Sequence, residues 1–187
     1  MRKTTLSILM LSLVAVVMTS CNLFKSEQER KIVGKWFYSD AAGIDTTTQI
    51  IDEGMTTQYF SEYYITYGED NKFTMQGLTQ VSANLYDEYS ITLKYKVASN
   101  GTWEIKDGRL YERPSDANIT FAGMELSDPN LYELQQAANE WKHNNTPIIA
   151  ELKSDILTPD DCKIVKVDDN ELVLSDEDGP TTFRRLN

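Results

Sequence analysis

The chain has one histidine and two cysteines, so nucleophilic chemistry has few residues to draw on. His143 and Cys162 could form a thiol–imidazole pair, because an adjacent base activates a thiol. Nothing in the sequence brings them together. His143 sits beside Lys142 and Asn144 at the C-terminal end of an expected helix, where a solvated basic side chain meets the helix dipole favourably. Asp176-Glu177-Asp178-Gly179 offers carboxylates to a cation, but it lacks the spaced Asp/Asn ligands and distal Glu of an EF-hand loop. It reads as a charged hairpin turn, as does Asp168-Asp169-Asn170. No nucleophile–base pair and no metal-ligand set emerges, so neither an enzyme nor a cofactor is expected.

The aromatic residues offer binding rather than catalysis. Tyr59, Tyr63, Tyr64 and Tyr67 each combine an apolar body with a polar tip, which suits a pocket wall or stacking on sugars and equally suits an ordinary barrel wall. With Asp107-Gly108 as a two-residue turn, Ile105 opposes Leu110 and Trp103 opposes Glu112. A carboxylate across from an inward Trp could hold a ligand's polar end. A strand-end position open to water is the preferred reading of Glu112.

Two basic residues, Arg2 and Lys3, precede an apolar run from Leu6 to Met18 and the small residues Thr19-Ser20 before Cys21. That layout is a secretory signal over residues 1–20, and the run falls short of the roughly 20 apolar residues that span a bilayer. Met18-Thr19-Ser20-Cys21 is similar to a bacterial lipobox. The similarity implies that Cys21 becomes the first mature residue, carrying a diacylglyceryl thioether and an N-acyl chain. One acyl chain anchors only marginally, whereas three would hold permanently. Asn22 stands where an Asp would favour inner-membrane retention, which directs the expectation to the outer membrane, on its periplasmic or outer face.

Without the signal, 167 residues remain, enough for one domain with a real core. The signal removes two of 18 basic residues and none of 29 acidic ones, leaving a net charge of −13. Such a surface repels phosphate backbones and excludes nucleic acid as a partner. It also leaves membrane attachment to the lipid. Once Cys21 is acylated, Cys162 has no partner for an internal disulfide and is expected to be buried and inert. The monomer is the expected state.

Residues 21–30 read as a lipidated tether of at most ~35 Å, with Ser26 and Glu29 spaced as a capping box. The domain is placed at 31–187. A second strand is expected around Thr46–Asp52, and a long Tyr-rich strand runs from Met55 to Tyr67 before the turn at Gly68-Glu69-Asp70-Asn71. The clearest strand is Glu88–Ala98, with Tyr89, Ile91, Leu93, Tyr95 and Val97 on one face and charged or hydroxylated residues on the other. Asn100-Gly101 and Asp107-Gly108 both favour type I′ turns, so 88–98, 102–106 and 109–113 are expected to form a meander. One further strand holds Ile119 and Phe121. Asp128-Pro129 and Thr146-Pro147 then open two amphipathic helices, expected on the barrel's rim or side. Three short strands follow from Cys162 to Leu186.

This layout resembles the small lipocalin-like lipoproteins of Gram-negative bacteria. The lipobox, Gly34-x-Trp36 on the first strand and Phe183-Arg184-Arg185 on the last carry the resemblance. It implies a mainly β, antiparallel up-and-down barrel of about 8–10 strands, with two helices inserted before the last three. It also implies that Trp36 closes one end while Arg185, or failing that Arg184, packs across its ring. The middle Thr-Asp-Tyr motif of lipocalins is absent.

Two functions follow as expectations. The first is a carrier of a small apolar or amphipathic molecule, lined by Tyr59, Tyr63, Phe73, Met75, Tyr89, Leu93, Tyr95 and Trp103. The alternative is a structural or interaction module of the envelope with a filled core, contacting a glycan or a partner protein.

Overall fold

The computed structural model describes residues 25–39, 49–52, 55–85 and 89–186; for 49–52, 55–59, 84 and 85 it describes the backbone alone. The signal, Cys21, residues 46–48 of the expected second strand and the side chain of Tyr59 therefore lie outside the described residues.

Among the described residues nine strands form one antiparallel sheet: β1 (Gly34–Ser39), β2 (Gln49–Asp52), β3 (Met55–Tyr67), β4 (Lys72–Leu85), β5 (Tyr89–Lys106), β6 (Arg109–Leu126), β7 (Asp160–Val167), β8 (Glu171–Ser175) and β9 (Pro180–Leu186). Each strand from β3 to β9 pairs with the next in sequence, and β1 pairs with both β9 and β3. Eight strands thus close an up-and-down ring. β2 continues along the edge of β3 that β1 occupies, with Ser39 opposite Glu62 and Gln49 opposite Thr57. Among the described residues three helices accompany the sheet: α1 (Glu27–Ile32), α2 (Tyr132–His143) and α3 (Thr146–Leu157). The mainly β barrel with two helices ahead of its last three strands is the architecture expected.

Local chemistry explains the joints. Ser26 Oγ accepts from the Glu29 amide while Glu29 returns the bond to the Ser26 amide, so α1 starts on a complete capping box. Asp107 (φ 53°) and Gly108 (φ 75°) both adopt the left-handed conformation that a type I′ hairpin needs. Asn100-Gly101 carries the same signal but makes no turn, because β5 runs unbroken from Tyr89 to Lys106. The pairing shifts there, from Asn100↔Asp116 to Gly101↔Pro114, leaving Ser115 as an extra residue on β6. A Cβ on Gly101 would lie 2.3 Å from the Arg113 carbonyl oxygen and 2.7 Å from the Phe73 ring. Glycine is needed there for close approach at a bulge, and the expected meander is instead one long hairpin. Asp128 likewise does not cap α2. Its carboxylate accepts from the Asn130 amide, and α2 begins at Tyr132 after Leu131.

The ring is complete over only part of its height. β6 pairs with β7 through Arg109–Glu112, so residues 113–126 extend past it. There α2 and α3 lie against the inward face of the extension, with Leu134, Ala138 and Leu152 packed on Val81, Ile91, Leu93 and Tyr95. The helices occupy the concave side rather than the rim. A second apolar cluster fills the closed end, built on Ile32, Trp36, Ile65, Tyr67, Phe73, Trp103, Leu110 and Phe183 with residues of β7 and β8.

Candidate functional site

The closed end is latched by three residues of matched spacing. Trp36 is fully buried, and its indole Nε1 donates to the Ile32 carbonyl at 2.7 Å. The Arg185 guanidinium carbon lies 4.1 Å from the Trp36 ring centroid. Its Nη1 donates to Val33 O at 3.0 Å, and Nη2 donates to Lys31 O. The guanidinium therefore satisfies carbonyls left open where α1 ends. Gly34 makes room for it: φ is +138°, and a Cβ there would sit 2.4 Å from Nη1. Lys25 caps the same end, 5.5 Å over the Trp103 ring.

The residues expected to line one lumen are divided between the two clusters. Phe73 and Trp103 belong to the closed end, with Tyr63 and Met75 packed against it. Leu93 and Tyr95 belong to the cluster under the helices, with Tyr89 beside it. Between them lies a band of small and hydroxylated side chains. Tyr63 Oη sits 2.8 Å from Thr79 Oγ1 and donates to Ser61 Oγ at 3.1 Å, while Ser99 Oγ donates to Asp116 O at 2.9 Å. Tyr95 Oη is buried and, among the described residues, meets no hydrogen-bond partner. Burial pushes its phenol pKa up.

Glu112 behaves differently from the water-facing carboxylate preferred above. It does oppose Trp103, but it also accepts a 2.7 Å hydrogen bond from the hydroxyl of the buried Tyr67. That bond joins β3 to β6 across the barrel. Burial raises the Glu112 carboxyl pKa to about 7, the Tyr67 bond opposes the rise, and nearby Asp160 adds to it. Burial and the Glu112 charge hold the Tyr67 phenol well above its usual range. Cys162 Sγ donates to Asp160 Oδ2 at 3.3 Å, and burial pushes the thiol pKa up, away from the thiolate a nucleophile needs. His143 is engaged elsewhere, its Nδ1 2.6 Å from Asn139 O. Among the described residues no cluster of histidine, cysteine or carboxylate side chains could hold a metal. Asp176 Oδ1 instead accepts from the amides of Asp178 and Gly179, which accounts for the acidic turn.

A trough of about 460 Å³ opens on the outer wall. Two cross-strand rungs make it. One runs Phe37–Tyr64–Gln76–Ala98–Asn118, and the other Ser39–Glu62–Leu78–Lys96–Thr120. Ala98 leaves the gap between Gln76 and Asn118, and the backbone of Gly77 and Val97 floors it. The Tyr64 ring is 37% exposed and braced by Phe37, with centroids 5.0 Å apart, and by Lys35 Nζ at 5.3 Å. The sequence points to Tyr64 but not to Gln76, Asn118 or Thr120; Asn118 and Thr120 come into line only through the β6 bulge at Ser115. Comparison with family models and with curated proteins finds no match to this chain.

Proposed function

We propose that the chain is a lipid-anchored envelope protein whose barrel is a non-enzymatic binding module with a filled interior. The observation that carries this reading is the position of α2 and α3. Leu134, Ala138 and Leu152 pack on Ile91, Leu93 and Tyr95, where a carrier would keep an open mouth. Ligand cavities bury most of a small molecule in a concave, partly apolar site, and here the wide end is taken by the chain's own side chains. The engaged states of Cys162 and His143 support a non-enzymatic role. The lipobox-like Met18-Thr19-Ser20-Cys21 and the short tether support attachment to the outer membrane.

The carrier is the second reading, favoured by the unpartnered Tyr95 hydroxyl inside the wall. One experiment separates the two. The full chain, purified in detergent, is titrated with a fluorescent fatty-acid probe and inspected by native mass spectrometry. The module excludes the probe and carries no mass beyond its own lipid. Saturable uptake that weakens in Tyr95→Phe would overturn the module in favour of the carrier.

A further inference from the structure

We infer that the outer trough between Tyr64 and Asn118 is a carbohydrate site, taking a short uncharged segment of a glycan. The inference rests on the module reading above and names what the module binds. Its chemistry is that of a sugar cradle. A sugar ring presents one apolar C–H face and a rim of hydroxyls. Tyr64 presents a braced, partly exposed aromatic face to the first. Gln76 and Asn118 present planar amides, each with two donors and an acceptor, and Thr120 adds a hydroxyl.

Three further observations favour this occupant. The trough's volume falls within the range of small-ligand sites. Among the described residues, no hydrogen bond or ion pair occupies the side chains of Gln76, Lys96, Asn118 or Thr120. Their outward neighbours are tied to one another, Lys94 to Glu125 and Ser82 to Thr92. The trough also holds one carboxylate, Glu62, and one ammonium, Lys96, on a protein that is otherwise strongly acidic. With Lys35 standing over the Tyr64 ring at its edge, the trough carries none of the surrounding acidic excess, which suits an uncharged ligand. Because the lining residues stand on hydrogen-bonded strands, binding orders their side chains but not their backbone.

The test is calorimetric titration of the full chain in detergent with chitotetraose and with maltotetraose, for wild type, Tyr64→Ala, Asn118→Ala and Ala98→Trp. At least one saccharide binds saturably to the wild type. Loss of the Tyr64 ring weakens it about tenfold, equivalent to about 1.4 kcal/mol, and Asn118→Ala weakens it as well. Ala98→Trp fills the trough and abolishes binding. Thermal unfolding stays near wild type in Asn118→Ala and Ala98→Trp, whose positions face solvent; Tyr64→Ala, which loses its Phe37 contact, is titrated well below its own unfolding midpoint. Absence of binding to both saccharides, or binding that survives Ala98→Trp, overturns the assignment. If the apolar probe is still excluded, that failure leaves the module reading standing; probe uptake instead overturns the module reading itself.

Discussion

Replacing Glu112 with Gln keeps the shape beside Tyr67 and removes a proton that the folded state holds unusually tightly. Burial raises the carboxyl pKa to about 7 from an ordinary 4.5. Below pH 4.5 it is protonated in both folded and unfolded chains. As pH rises from 4.5 to 7 the unfolded chain releases the proton first, so the native state binds more protons and stability falls. Above 7 both states are ionised and the loss levels off. At 1.36 kcal/mol per pH unit the full gap is about 3 kcal/mol. Glu112 keeps some solvent contact, which screens it, so about 2 kcal/mol is the working figure. Urea unfolding of wild type and Glu112→Gln at pH 4, 5, 6, 7 and 8 reads this directly, because the other carboxylates are common to both proteins. The variant gains on the wild type by about 2 kcal/mol between pH 4.5 and 7. Parallel profiles across that window would refute the buried-carboxylate account. Tyr67→Phe removes the bond that opposes the rise and moves the wild-type fall to higher pH.

Trp36→Ala costs about 3–5 kcal/mol as a large core truncation, and Arg185→Ala costs less; a double-mutant cycle by denaturant unfolding shows coupling between them, whereas additive losses would mean the contact contributes nothing. Gly77→Ala destabilises by about 1–3 kcal/mol, because its Cβ would lie 2.0 Å from the Glu62 carbonyl oxygen, and a thermal midpoint equal to wild type would contradict this. Cys21→Ala leaves an uncut precursor that incorporates no palmitate, and unchanged labelling would remove the lipid anchor from the proposal.

Much of the barrel is legible because period-two alternation and turn chemistry agree locally. Tyr89, Ile91, Leu93, Tyr95 and Val97 all turn inward, and Asp107-Gly108 fixes the register that sets Ile105 against Leu110 and Trp103 against Glu112. Asn100-Gly101 misleads because a dipeptide cannot say whether its glycine serves a positive φ or a close approach, and the deciding neighbours, Phe73 and Arg113, are distant in sequence. The extra residues Ser115 and Ala122 on β6 are likewise invisible, and they decide which side chains meet across the outer wall. Amphipathicity identified α2 and α3 but not the surface they cover. Leu134 and Ala138 match the concave face of β4–β5 only once the sheet is curved. For Glu112 the sequence showed the strand position, while its Tyr67 partner lies 45 residues away on the opposite wall.

The Arg185 latch has a mechanical consequence. A pull on the chain ahead of residue 25 enters the domain through α1, where the carbonyls of Lys31 and of Val33, just past the helix end, are held by a side chain from the last strand. That load reaches the first and last strands together before it can peel either from the sheet. β1 is itself held on both edges, by β3 and by β9, so tension along it shears two ladders at once instead of opening one rung after another. A pull arriving through residue 25 therefore meets two ladders loaded in parallel.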